Sequence, residues 1–185
     1  MATTLNAETS KRASIRGGLG AAAVVVSGVA LDQLTKLWAT RELMGRPFQQ
    51  VIPGYFELRY SLNRGAFFSF GADLPSSVRQ AFFVGMSLLV CLLIVRLLRK
   101  LPPAHRAARW ALVLLLTGAI GNLIDRVRSG EVVDFLHLHL RDVFHWATFN
   151  VADMYIAGGL CLLILDLLRP QTARARGSEP SPHTP

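Results

Sequence analysis

Cysteine is nearly absent from this chain, and its absence excludes several chemistries at once. Only Cys91 and Cys161 occur in 185 residues, and both lie inside apolar runs, where a thiol behaves as a small hydrophobe. A disulfide framework and a thiolate metal site are therefore not indicated, and cysteine usage says nothing about redox compartment. Acidic residues are scarce too, 12 against 20 Lys and Arg, for a net charge of +8. That basic excess would suit nucleic acid, but a single-strand binder interleaves its cations with exposed aromatics. Here the lysines and arginines cluster beside apolar runs, so no nucleic-acid partner is expected. No HExxH pair is present, and Ser61 and Ser69 lack any GxSxG context, so neither a metallopeptidase nor a serine hydrolase is indicated. His137 and His139 in "FLHLHL" would share one face of a strand, with His145 nearby, but without thiolate partners they do not make a recognisable metal set. No repeat of fixed period is found.

What the chain has in abundance is apolar length. Hydrophobic residues make up 51% of it, more than a soluble domain of this size normally carries. Apolar stretches of the roughly 18 to 22 residues needed to cross a bilayer as a helix run from Gly17 to Leu37, Val78 to Leu98, Ala108 to Val127 and Val151 to Leu168. The first continues past the small-residue "AAA" at Ala21 to Ala23 and three more follow it, so an uncleaved first helix is expected. Lys11, Arg12 and Arg16 precede it, Arg96, Arg99, Lys100, Arg106 and Arg109 surround the second link, and Arg169, Arg174 and Arg176 follow the last span. With four spans these clusters share one side, which the positive-inside rule makes cytoplasmic, termini included.

The two outward connections are more than linkers. Gln49 to Phe70 alternates in part between apolar and polar positions, with Pro53, Gly54 and Gly65 as turn points, which predicts short strands in a small outward sheet over about residues 46–70. Residues 1–169 are expected to form one membrane domain. The tail 170–185, "PQTARARGSEPSPHTP" from Pro170, has too little to bury and is expected to be disordered.

With that topology drawn, the awkward polar residues gather at the outward ends of the spans: Asp32, then Asn122, Asp125 and Arg126, then Asp134, Asn150 and Asp153. A carboxylate in hydrocarbon costs about 3 kcal/mol on insertion scales, so such a cluster marks a site by default. Each member also has a structural explanation. Asn150 can cap the fourth helix with Asp153 at its positive end; Asp125 and Arg126 can neutralise each other; Gly118 and Gly121 can permit close helix packing. The chemistry on offer is that of paired carboxylates. Two aspartates within reach of each other share a proton, one acting as base toward water and the other as acid toward a carbonyl oxygen. No metal or cofactor is called for. The residues themselves leave the pair open among Asp32, Asp125, Asp134 and Asp153.

The motifs "LDQLTK" from Leu31, "NRGAFFSF" from Asn63, "GAIGNLIDR" from Gly118, "GEVVDF" from Gly130 and "FNVADM" from Phe149, in that order, resemble those of lipoprotein signal peptidase, or signal peptidase II. The resemblance implies an aspartic endopeptidase of the bacterial inner membrane. It would cleave a prolipoprotein before a diacylglyceryl-modified cysteine, at the outer face. It implies a four-helix membrane bundle with a small extracytoplasmic β-cradle and a loop or half-helix over the site. By the same resemblance Asp134 and Asp153 are the catalytic pair, Asn63, Gly65, Asn122, Arg126 and Asn150 lie around substrate or dyad, and Asp32 and Asp125 are supporting partners. Phe67 and Met154 stand where that family more often has small residues. Phe67, Phe68, Trp146 and Phe149 are candidates for contact with lipid or signal peptide. The partners implied are the lipidated prolipoprotein and membrane lipid, with the chain a monomer. A small proton or ion pathway protein is the alternative from another class, although a relay would need carboxylates in the cytoplasmic half, where Asp166 is the one available.

Overall fold

The computed structural model describes residues 2–65, 75–141 and 143–169. Four helices, α1 (Ala2–Glu42), α2 (Ser76–Lys100), α3 (Arg106–Ser129) and α4 (Val151–Leu168), are joined by strands β1 (Gln49–Ile52), β2 (Phe56–Asn63), β3 (Val132–Leu140) and β4 (Phe144–His145). All four helices are long and apolar enough to cross a membrane. They turn outward what a soluble protein would hide: Leu92, Leu167 and Val26 are about two-thirds exposed or more, as lipid-facing residues of a bundle are. The first helix runs on past its expected end at Leu37 to Glu42, because no helix breaker occurs before Gly45 (φ 74°).

Helix α3 is the inner one and packs against the other three. Ala108, Ala111 and Val113 are buried along it, and small residues let α4 approach closely. A Cβ at Gly118 would collide with the Ala152 carbonyl, and one at Gly121 would stand 2.6 Å from an Asp32 carboxylate oxygen. The link between α2 and α3 is tied by Arg109, whose Nη1 donates to the Leu98 and Leu101 carbonyls at 3.1 and 2.8 Å, satisfying acceptors that the end of α2 leaves open.

At the opposite end the strands form one antiparallel sheet in the order β1-β2-β3-β4. The expected strands fall within residues 46–70 as β1 and β2; the alternating "FLHLHL" stretch forms most of β3, a central strand, and adds the other half of the sheet. A bulge between Leu58 and Ser61 resets the register so that Ser61 pairs with Asp134 and Asn63 with Val132. Beneath the sheet, Phe135 packs on Ala39 and Leu43 near the end of α1. Phe149 then bridges back to β3, donating to the Leu136 carbonyl and accepting from the Phe135 and Leu136 amides at 2.9 to 3.0 Å. That bridge delivers the start of α4 to the middle of β3. Of the loop or half-helix expected over the site, the described part after β3 is a turn and the two-residue β4. Residues 66–74, with Phe67 and Phe68, and the tail from 170 lie outside the described residues.

Candidate active site

Helix α4 begins where it does because Asn150 caps it. The Asn150 side-chain oxygen accepts from the Asp153 amide at 3.0 Å, and the Asp153 carboxylate accepts from the Asn150 amide at 3.1 Å, a reciprocal capping box that satisfies two otherwise orphaned donors. The capping explanation for these residues therefore holds, and it leaves the Asn150 side-chain nitrogen, Nδ2, free for something else. That nitrogen donates to Asp134 Oδ1 at 2.6 Å and to Asn122 Oδ1 at 3.1 Å. Asn122 in turn donates to Asp153 Oδ1 at 2.8 Å. Asp134 of β3 and Asp153 of α4 thus share Asn150 as a common neighbour, one through its side chain and the other through its backbone.

Asn63 closes the far side. Its amide nitrogen donates to Asp134 Oδ2 at 3.1 Å while its oxygen accepts from the Gly65 amide at 2.9 Å. Gly65 sits at φ 80°, with the Phe83 ring where a side chain would go, so the turn that orients Asn63 requires glycine. Asp134 is 2% exposed; Asp153 is half-buried. Burial first, and the Asp153 carboxylate second, push Asp134 up to about 6, against the pull of Asn63, Asn150 and Lys36. A carboxyl surrounded by neutral amides next to a second carboxylate holds a proton far more readily than one in water.

A second pair of aspartates is joined to this cluster through Asn122 and is built differently. Lys36 Nζ stands 2.9 Å from Asp32 and 2.8 Å from Asp125, and donates to Asn122 Oδ1 at 3.0 Å. Gln33 also joins the two, at 3.1 Å to Asp32 and 2.9 Å to Asp125. Asp32 Oδ1 accepts from the Ala152 amide at 2.9 Å, and Asp125 Oδ2 from the Val133 amide at 3.3 Å, so this pair pins both the first turn of α4 and the start of β3. Asp125 is therefore bonded to Lys36 and Gln33, and its interaction with Arg126 is one of charge at longer range. Arg126 donates to the Asn122 carbonyl at 3.3 Å and lies within electrostatic reach of Asp153, Asp125 and Asp134.

Of the residues singled out by sequence, Asn63, Asn122, Asp134, Asn150 and Asp153 form one hydrogen-bonded cluster, with Asp32 and Asp125 attached through Lys36. Sequence reasoning passed over Lys36 and Gln33. The signal was there, in a lysine four residues after an aspartate inside an apolar helix, the spacing of an i,i+4 ion pair. The histidines fall elsewhere. His137, His139 and His145 stack with ring centroids 5.5 to 5.7 Å apart beside buried Glu57, and Glu57 is bonded to Arg59. Among the described residues no group of three or more His, Cys, Asp or Glu is arranged to hold a metal ion. Trp146 and Met154 are more than half exposed.

Residues 24–169 match the family model described as signal peptidase (SPase) II. The lipoprotein signal peptidase of Geobacter sulfurreducens is 43% identical over 83% of this chain and 94% of its own length. That of Ralstonia nicotianae is 45% identical over 76% and 79% respectively. Two solved structures described as bacterial membrane enzymes superpose with TM-scores of 0.66 and 0.67 at 27% and 28% identity, covering 87% and 81% of this chain and 93% of each of theirs. A bundle of four membrane-length helices, an aspartate cluster where α3, α4 and the sheet meet, and these matches over most of its length converge: the chain belongs to the signal peptidase II family of multi-pass membrane peptidases.

Proposed function

We propose that Asp134 and Asp153 are the catalytic pair with which this aspartic endopeptidase removes the signal peptide from prolipoproteins, cutting before a diacylglyceryl-modified cysteine. The observation that carries the assignment is the convergence of the two carboxylates on Asn150, where Asp32 and Asp125 have a lysine between them instead. Asp134, the more buried, carries the shared proton and is the acid; Asp153, more open, is the base. Water held by Asp153 gives up a proton as its oxygen bonds to the scissile carbonyl carbon, and Asp134 protonates the carbonyl oxygen. Collapse of the tetrahedral gem-diol breaks the C–N bond, with the proton gained by Asp153 passing to the departing cysteine nitrogen and one hydroxyl proton returning to Asp134. The pair ends as it began, and it titrates as a unit.

Asn63, Asn122 and Asn150 hold the carboxylates in place, and positioning of this kind supplies a large share of such a rate enhancement. Arg126 is suited to the substrate's polar backbone or lipid ester groups. The protein is an inner-membrane monomer of one domain over residues 1–169, with both termini cytoplasmic and the site at the outer face. Arg96, Arg99, Lys100, Arg106 and Arg109 at the other end of the bundle support that orientation. Exposed Phe144 and Trp146 beside the sheet suit contact with lipid at the interface. An ion relay is not favoured, since the linked carboxylates stop at the sheet end.

The test is cleavage of a diacylglyceryl-modified prolipoprotein peptide by detergent-purified protein. Asp134→Asn and Asp153→Asn should each lose product by about 100-fold to 10,000-fold or more while remaining folded. Full activity in either variant contradicts the assignment.

A further inference from the structure

We infer that Lys36 is a positioning residue for the dyad: it sets the polarity of a chain of amides, Lys36 to Asn122 to Asn150, so that N–H groups and not carbonyls face Asp153 and Asp134. The inference rests on the catalytic assignment above.

An amide side chain has a donor end and an acceptor end of nearly the same shape, and what faces each end decides which way it turns. An ammonium has three N–H groups and no acceptor. Those of Lys36 are taken by Asp32, Asp125 and Asn122 Oδ1, so the end of Asn122 that meets Lys36 has to be its oxygen. The nitrogen is thereby sent to Asp153 Oδ1 at 2.8 Å. Asn122 Oδ1 also accepts from Asn150 at 3.1 Å, which forces the nitrogen of Asn150 to the same side, where its second N–H reaches Asp134 Oδ1 at 2.6 Å. The oxygen of Asn150 is left for the Asp153 amide at 3.0 Å. With Lys36 neutral or absent, Asn122 can present its carbonyl to Asp153, and two acceptors in contact repel and displace the base. Lys36 is 3% exposed, so water does not compete for its donors.

The same lysine acts on the dyad through charge. Asp134 is faced by Asp153 from α4, by Lys36 from α1 and by Arg126 from α3, and Lys36 favours its ionised form. Its removal should let the pair keep its proton to higher pH.

Lys36→Met by itself strands two buried carboxylates and can unfold the chain. The comparison is therefore made with the full-length protein in a background that removes those charges, Asp32→Asn/Asp125→Asn, where the two asparagine oxygens remain available as acceptors for Lys36. In that background Lys36→Met should lower kcat for the diacylglyceryl peptide by about 100-fold, the cost of a misplacement of about 1 Å. KM should change little, the thermal midpoint should be no lower than that of the parent double variant, where Lys36 is a buried cation without its counter-charges, and the alkaline limb of the kcat profile should move to higher pH. Lys36→Arg, which keeps a cationic donor without an acceptor, should recover part of the loss. Equal kcat and an unmoved pH limb in the paired variants overturn the inference, leaving Lys36 a neutraliser of Asp32 and Asp125. Activity retained in Asp134→Asn or Asp153→Asn is a different failure, that of the catalytic assignment itself.

Discussion

Two aspartate pairs lie within a few residues of each other at the same end of this bundle, and the groups between their carboxylates set them apart. Between Asp32 and Asp125 stands an ammonium; around Asp134 and Asp153 stand the amides of Asn63, Asn122 and Asn150. A cation between two carboxylates offsets their mutual repulsion, and the pair becomes a lock that joins α1, α3, the start of β3 and the first turn of α4. Neutral donors do less to offset burial and like-charge repulsion, so the other pair keeps a proton that it can hand over. Burial alone, which Asp32 and Asp125 share with Asp134, does not make a carboxylate an acid.

The largest stability effect expected from breaking this contrast is in the lock. Asp125→Ala leaves Lys36 with one carboxylate fewer and the Val133 amide without its acceptor, and should destabilise the fold by about 3–5 kcal/mol, the cost of breaking a buried pair. Thermal unfolding in detergent measures it. Next comes pH. Asp134 is raised in the folded chain to about 6 from an ordinary 3.8, so between those values the folded state holds a proton that the unfolded state has lost. Stability from this group is then highest at acid pH and falls as pH rises through that window, by about 3 kcal/mol at most. A stability series from pH 4 to 7 should show that fall, and Asp134→Asn should flatten it. Smaller is Gly121→Ala, whose Cβ would stand 2.6 Å from Asp32 Oδ2 and 3.0 Å from the Ala152 Cβ. Overpacking of this kind costs about 1–3 kcal/mol, and it should lower the thermal midpoint more than Gly85→Ala, where nothing lies within 4 Å.

The helices were legible because an apolar run of membrane length has few alternatives to a helix. The alternation of "FLHLHL" is visible too, but its place in the middle of a sheet depends on the bulge between Leu58 and Ser61 and on the Phe149 bridge to Leu136. Both are matters of tertiary register. The clustering of polar residues could be read from span ends. The residue types alone leave four candidate aspartates, because what separates them is distributed over the chain. Lys36 meets Asp32 within one helix, a relation that sequence spacing can show. It meets Asp125 across 89 positions only after α1 and α3 pack, and Asn150 meets Asp134 only after α4 docks on β3. The resemblance of the motifs singled out Asp134 and Asp153, and the geometry supplies a physical reason why these two differ from the others.

The most direct test is to replace Asp32, Asp125, Asp134 and Asp153 by asparagine one at a time and to read kcat and thermal midpoint for each. The account predicts a crossed result. Asp134→Asn and Asp153→Asn lose turnover and keep or raise the midpoint, while Asp32→Asn and Asp125→Asn lower the midpoint and retain measurable turnover. Turnover at the native level in either Asp134→Asn or Asp153→Asn would contradict it, as would four variants that lose rate and stability together in equal measure.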